Sequence, residues 1–169
     1  MAGALPLAGL KVVAIEQAVA APFATARLAD AGAEVIKIER PGGDFARGYD
    51  DYANGMSSYF VWLNRGKESL VADIKNPDDA AMLHHIIARA DVFIQNFRPG
   101  VADKLGAGEE ELRALNPALV YCAITGFGQT GPSRDRPAYD TVAQAASAYL
   151  RLLTPPANPR RCHKPTCRR

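Results

Sequence analysis

The stretch "LKVVAIEQAVAAPFATARLADAGAEVIKIE", residues 10–39, decides the fold. It opens on one Val- and Ile-rich run (10–15) and closes on another (34–39). Neither run alternates strictly between apolar and polar residues, which is the pattern of strands covered on both faces in a parallel sheet. Between them "PFATARLADAG" (22–32) reads as a helix ended by Gly32. Two parallel strands need a crossover of this kind, because a tight turn cannot join them.

The alternation continues along the chain. Further strand-like runs are "SLVADI" (69–74), "DVFIQN" (91–96) and "LVYCAIT" (119–125). "NPDDAAMLHHIIARA" (76–90) predicts a helix. Asn76 can cap it, Pro77 suits its first position, and Asp78 and Asp79 complement the positive end of its dipole. Its apolar stripe is Met82, Leu83, Ile86, Ile87 and Ala90, which leaves His84 and His85 on the solvent side. "GEEELRAL" (108–115) predicts a shorter helix. "PAYDTVAQAASAYLRLL" (137–153) predicts a last one with Val142, Ala146, Tyr149 and Leu153 along one face. The expected fold is α/β, a Rossmann-like open parallel sheet with helices on both faces. Residues 40–68, Gly-rich and aromatic, read as a long functional loop.

Length and charge narrow the rest. A chain of 169 residues suits one domain that buries roughly 70% of its unfolded surface. The whole chain carries +2, but residues 154–169, "TPPANPRRCHKPTCRR", carry five cations and no acid, so residues 1–153 are net −3. The expected organisation is a domain at 1–153 and a basic, disordered tail at 154–169. Nothing in the sequence resembles a membrane span or a secretory leader, and three cysteines form no disulfide framework. A soluble cytoplasmic or organelle-matrix protein is expected.

Several motifs carry less than they promise. "GFGQTG" (126–131) is a G-x-G-x-x-G after a strand, but it lacks the acid about 20 residues on that a dinucleotide site uses. A glycine-rich active-site turn is the better reading. Cys162, His163 and Cys167 lack the second half of a tetrahedral zinc site, so no metal is expected. The basic tail alone is a weak argument for nucleic acid. Cys122, inside a strand, reads as a buried thiol.

Taken together, "LAGLKVVAIEQAVAAPFATARLADAGAEVIKIERPGGDFAR", "NRGKESLVADIKNP", "ADVFIQNFRPG" and "NPALVYCAITGFGQTGPSRDRPAYDTVAQAASA" resemble the amino-terminal part of a family III coenzyme A transferase. The resemblance runs from about residue 7 to 153. The family includes formyl-CoA, carnitine-CoA and dicarboxylate-CoA transferases and the related α-methylacyl-CoA racemases. Its members are longer and form interlocked dimers.

The resemblance implies residue roles. Arg40 and Lys75 would lie at the coenzyme, Asn96 and Phe97 would flank its adenine end, and Lys104 would lie near the nucleotide phosphates. The backbone of Ala20 would stand beside the thiol end. Phosphates suit Arg and Lys, at about 1.5–3 kcal/mol per charge-assisted contact, and adenine suits an aromatic face. Tyr139 and Asp140 resemble active-site neighbours of the nucleophile, and Tyr139 stands where racemases have histidine, which favours the transferase branch. "EQAVAAPF" and "YFVWLNRGKES" look most similar to dicarboxylate-type transferases. Acyl-CoA and a carboxylic acid would be the substrates, with no tightly bound cofactor.

The family's nucleophile is an aspartate that attacks the acyl thioester, and it lies past the last helix read here. No Asp or Glu follows Asp140. The expectation is therefore a chain truncated before its nucleophile and inactive alone, its tail the product of a shifted reading frame. A fragment or engineered end and a genuine basic tail are the alternatives. A racemase relative and a non-catalytic CoA-binding or dimerising fragment are the alternative functions.

Overall fold

The computed structural model describes residues 4–153. Among them, five strands form one parallel sheet: β1 (Lys11–Ile15), β2 (Glu34–Glu39), β3 (Lys67–Val71), β4 (Val92–Gln95) and β5 (Val120–Ala123). Their order is β3-β2-β1-β4-β5. The chain thus builds outward from β1 in one direction, then returns to its other side. Helices α1 (Ala20–Asp30), α2 (Ser58–Asn64), α3 (Pro77–Ile87), α4 (Val101–Lys104) and α5 (Glu109–Leu115) lie between the strands in sequence.

The pleat divides the strand residues into two packed layers. Val13 and Ile15 of β1, Ile38 of β2 and Phe93 of β4 meet Leu83 and Ile87 of α3 and Leu112 of α5. Val12, Ala14, Val35 and Ile94 point the other way and pack with Ala21 of α1. This is the Rossmann-like α/β sheet with helices on both faces that the hydrophobic pattern predicts. The register also sets Lys37 beside Ala14 and Ser69, and Lys67 beside Val35, so charged residues share the second layer.

Local chemistry explains the element ends. Asn76 caps α3, its Oδ1 accepting the Asp78 N–H at 2.9 Å. Gly32 has φ +102° and a Cβ there would lie 2.6 Å from Leu5 Cβ, so the turn into β2 admits no side chain. β3 begins and ends earlier than the sequence suggests. After Val71 the Asp73 N–H is taken by Asp79 Oδ2 at 2.8 Å, which turns the chain toward α3.

Several expectations are corrected. Residues 40–68 are not a plain loop: they contain a single 3-10 turn (Phe45–Gly48) and α2, capped by Ser57 Oγ, which accepts the Phe60 N–H at 3.3 Å. His84 is only partly exposed, its Nε2 lying 2.6 Å from Gly106 O, and Met82 of the supposed apolar stripe is exposed. Cys122 is only partly buried. The expected last helix is two, α6 (Asp140–Ala146) and α7 (Tyr149–Leu153), broken at Ala148 with φ +60°. Its expected apolar face is not buried: Val142, Tyr149 and Leu153 are all exposed.

The chain falls into two compact units, residues 1–125 and a second beginning at Gly126. The first contains the whole sheet. In the second, a Cβ on Gly126 would lie 1.7 Å from Ala138 Cβ, so the first glycine of "GFGQTG" is required by the close approach of Ala138. The tail and its cysteines lie outside the described residues. No described helix is long and apolar enough to cross a membrane.

An aromatic row runs over the surface of the first unit. Phe45 meets Tyr49 edge-on at 5.9 Å, Tyr49 meets Tyr59 at 5.9 Å, Tyr59 meets Trp62 at 6.3 Å, and Trp62 meets Phe23 at 5.8 Å. All five rings are roughly half exposed.

Phe93 is fully buried at the centre of the first layer. Phe93→Ala is expected to lower unfolding stability by about 3–5 kcal/mol, read from urea denaturation. Asn76→Ala removes only a helix cap and is expected to cost about 1 kcal/mol.

Candidate functional site

Open parallel sheets bind ligands at the carboxyl ends of their strands, where neighbouring connections leave in opposite directions. In this order that point lies between β1 and β4. A crevice of about 60 Å³ opens there, lined by Ile15, Glu16, Gln17, Ile38, Glu39, Arg40, Gly43, Asp44 and Phe97. A larger hollow of about 280 Å³ lies at the other end of the sheet, beside Lys11, Glu34 and Arg89. Its position at the strands' amino ends makes it the poorer ligand site despite its size.

The crevice wall is a buried ionic network. Lys37 Nζ sits 2.8 Å from Asp44 Oδ2 and 3.8 Å from Glu16 Oε1, with all three side chains inaccessible to solvent. Lys67 Nζ reaches the same Glu16 oxygen at 2.7 Å and also donates to Pro22 O and Asn64 Oδ1. Thr25 Oγ1 donates to the second Glu16 oxygen at 2.7 Å. Burial pulls the Lys67 ammonium below its ordinary pKa, against the opposing pull of Glu16. Glu39 receives two bonds from Arg47, at 2.9 and 2.7 Å, one from Ser69 Oγ and one from the Asp44 N–H. The Arg47 guanidinium lies 3.8 Å from the centre of the Phe60 ring.

The turn after β1 is held from two sides. Asn96 makes a reciprocal pair with the Gln17 backbone: Gln17 N–H donates to its Oδ1 at 3.1 Å and its Nδ2 donates to Gln17 O at 2.8 Å. Ala18 has φ +64°, unusual for a residue with a Cβ, and its N–H donates to Asp44 Oδ1 at 3.2 Å. Strained backbone of this kind persists where the surroundings over-determine it, and clusters at functional sites.

The structure brings some of the anticipated residues together. Arg40 lines the crevice, exposed, with its Nε donating to Gly43 O at 3.2 Å. Phe97 lines it from the segment just after β4, its N–H donating to Gln95 Oε1 at 2.7 Å. Asn96 acts on the turn through Gln17. Ala20 is the exposed first residue of α1. Lys75 and Lys104 are exposed and stand apart from the crevice lining, in the turn before α3 and at the end of α4. Tyr139 and Asp140 belong to the second unit, where Tyr139 precedes α6 and Asp140 Oδ2 accepts from Gln144 Nε2 at 2.6 Å. Gln17, Glu39 and Asp44 were not anticipated. The conformation they share is set by contacts between residues up to 79 apart, such as Gln17 with Asn96. Among the described residues no His, Cys, Asp and Glu cluster has the arrangement to hold a metal ion.

Glu39 provides a test of this network. Burial would raise its pKa, but the Arg47 pair and the bonds from Asp44 and Ser69 outweigh it and hold the carboxyl at about 2, against an ordinary 4.5. The folded state therefore binds this proton less readily than the unfolded state. The stabilisation, on the order of 3 kcal/mol, is complete above about pH 4.5 and is lost as pH falls toward 2. Urea midpoints measured between those values are expected to fall more steeply for the native chain than for Glu39→Gln.

The chain matches CoA-transferase family III over residues 7–167, a range that extends into the basic stretch. It is 46% identical to acetyl-CoA:oxalate CoA-transferase of Acetobacter aceti, over 91% of this chain and 40% of that protein. It is 41% identical to succinyl-CoA:glutarate CoA-transferase of Mus musculus, over 89% of this chain and 35% of that protein. Among solved structures it resembles a CAIB/BAIF family protein from Brucella suis, with TM-score 0.80 and 42% identity over 85% of this chain and 39% of that one. It also resembles Rv3272 of Mycobacterium tuberculosis, with TM-score 0.83 and 38% identity over 91% of this chain and 43% of that one. The chain thus spans 35–40% of the length of these two curated relatives. With a match covering nearly all its residues and a sheet shared with solved relatives, the chain belongs to CoA-transferase family III.

Proposed function

We propose that the chain binds coenzyme A and its thioesters at the carboxyl-edge crevice, as the nucleotide-binding part of an acyl-CoA:carboxylate CoA-transferase. The observation that carries this is the convergence of Arg40, Phe97 and the Asn96-clamped turn on one crevice at the point where the sheet reverses direction. An exposed guanidinium beside an aromatic edge suits a ligand that is part phosphate and part purine. Lys75 and Lys104, exposed farther out, supply further positive charge for the phosphates. Tyr139 and Asp140 act beside the reacting acyl group. The named relatives act on oxalate and glutarate, which supports a dicarboxylate acceptor here.

The transfer chemistry needs a carboxylate that attacks the thioester carbonyl, forming a mixed anhydride and releasing the CoA thiolate. The thiolate then attacks the enzyme's acyl carbon and expels the donor carboxylate, leaving an enzyme thioester. The acceptor carboxylate attacks this in turn, and the thiolate it releases opens the second anhydride at the acceptor's acyl carbon, giving the new acyl-CoA and restoring the enzyme carboxylate. The family resemblance assigns this carboxylate to an aspartate beyond the last helix read in the sequence, and no acid follows Asp140 within the 169 residues given. Coenzyme binding without turnover is the role proposed for the 169-residue chain, and in a full-length relative the same unit would work within a homodimer.

Calorimetric titration of the purified chain with coenzyme A is expected to show saturable binding. Arg40→Ala should weaken it by about tenfold, the value of one partly solvated charge-assisted contact. Mixing the chain with succinyl-CoA and oxalate or glutarate should produce no new thioester. Absence of binding would overturn the coenzyme reading, and measurable transfer would overturn the claim that the chain is inactive alone.

A further inference from the structure

We infer that Asp44 is a positioning residue: its buried carboxylate latches the strained Gln17–Ala18 turn and thereby sets affinity for the coenzyme. This rests on the coenzyme-binding reading above. Asp44 borders the crevice, but both its oxygens are engaged. Oδ1 accepts the Ala18 N–H at 3.2 Å and the Ala46 N–H at 2.9 Å, and Oδ2 accepts from Lys37 Nζ at 2.8 Å. Its own N–H donates to Glu39 at 2.9 Å. Asp44 therefore ties the loop after β2 to the turn after β1 and acts on a ligand only through that turn.

The turn needs such a tie. A left-handed φ at a residue with a Cβ is sterically disfavoured and relaxes unless something opposes it. Asn96 grips Gln17 but makes no bond to Ala18. The Ala18 N–H has Asp44 as its acceptor, and that bond spans 26 residues. The Gln17 side chain, which lines the crevice, makes no hydrogen bond to another described residue. Its aim into the crevice follows the backbone that Asp44 and Asn96 hold.

A pure loss of charge must be separated from loss of the latch. In a Lys37→Met background the buried cation is gone, and Asp44→Asn still offers an oxygen to Ala18 and Ala46. Asp44→Leu offers none. Asp44→Ser offers a shorter acceptor that suits Ala46, two residues on, but does not reach Ala18, so it serves where the Leu variant fails to fold. Each variant of the 169-residue chain would be assayed for coenzyme A affinity by calorimetry and for amide hydrogen exchange at Ala18 by NMR. The Asn variant should keep affinity within about twofold and retain Ala18 protection, whereas folded Leu or Ser variants should lose about tenfold in affinity together with that protection. A folded Ser or Leu variant with unchanged Ala18 protection, or with native affinity, would overturn the latch. A native chain that binds no coenzyme A would instead overturn the coenzyme reading and with it the affinity half of this inference, leaving the exchange data to decide whether Asp44 holds the turn.

Discussion

Two lysines with no access to solvent, Lys37 and Lys67, constrain the rest of this structure. An ammonium removed from water is tolerated only with close acids and a full set of acceptors, and deleting one partner of such a pair typically costs about 3–5 kcal/mol. Glu16 and Asp44 meet that demand. Glu16 is the residue after β1, and Asp44 lies in the loop after β2, so satisfying the lysines fixes where both connections leave the sheet. The fold's apolar layers would be stable with other loop paths, but the charges admit few. The same requirement fixes α2 and α1, because Lys67 also needs Asn64 Oδ1 and Pro22 O.

This arrangement separates the task of holding the site from the task of contacting a ligand. Among the described residues no buried side-chain polar atom lacks a partner, so the network has no unmet demand of its own. In the proposed coenzyme role, the groups left to meet the ligand are those at its rim, Arg40, Phe97 and Gln17, which lie on or beside strand ends. The network also explains why Arg47, despite its charge, is a poor candidate for phosphate: its guanidinium is already committed to Glu39 and stacked on Phe60.

The sheet was legible because continuous Val and Ile runs recur at spacings that leave room for helices. Asn76-Pro77-Asp78-Asp79 announced α3 through capping chemistry that acts over two residues. α2 was not legible: "SYFVWLN" carries β-branched and aromatic residues that favour strands, and it is helical here with Ser57 as cap and only Leu63 buried. The break at Ala148 was equally silent, since alanine ordinarily extends a helix. At the site, Arg40 and Phe97 could be nominated from family likeness. The Asp44–Ala18 and Glu16–Lys67 pairings could not, because they join residues 26 and 51 positions apart and depend on a register that only the assembled sheet defines. Lys37 and Glu39 of β2 and Glu16 after β1 are turned inward by the pleat, while Glu34 stays exposed, a difference that sequence alone does not mark.

The row of rings from Phe45 to Phe23 has an optical consequence. The chain contains a single tryptophan, Trp62, and it sits in that row between Tyr59 and Phe23, about half exposed. Its emission therefore reports one location, on the helix whose Asn64 also holds Lys67. Tyr59, with its ring centre 6.3 Å away, is close enough to pass excitation to it, so part of the light absorbed by tyrosine emerges as indole fluorescence. The protein carries its own probe of the segment that the ionic network anchors, with no label required.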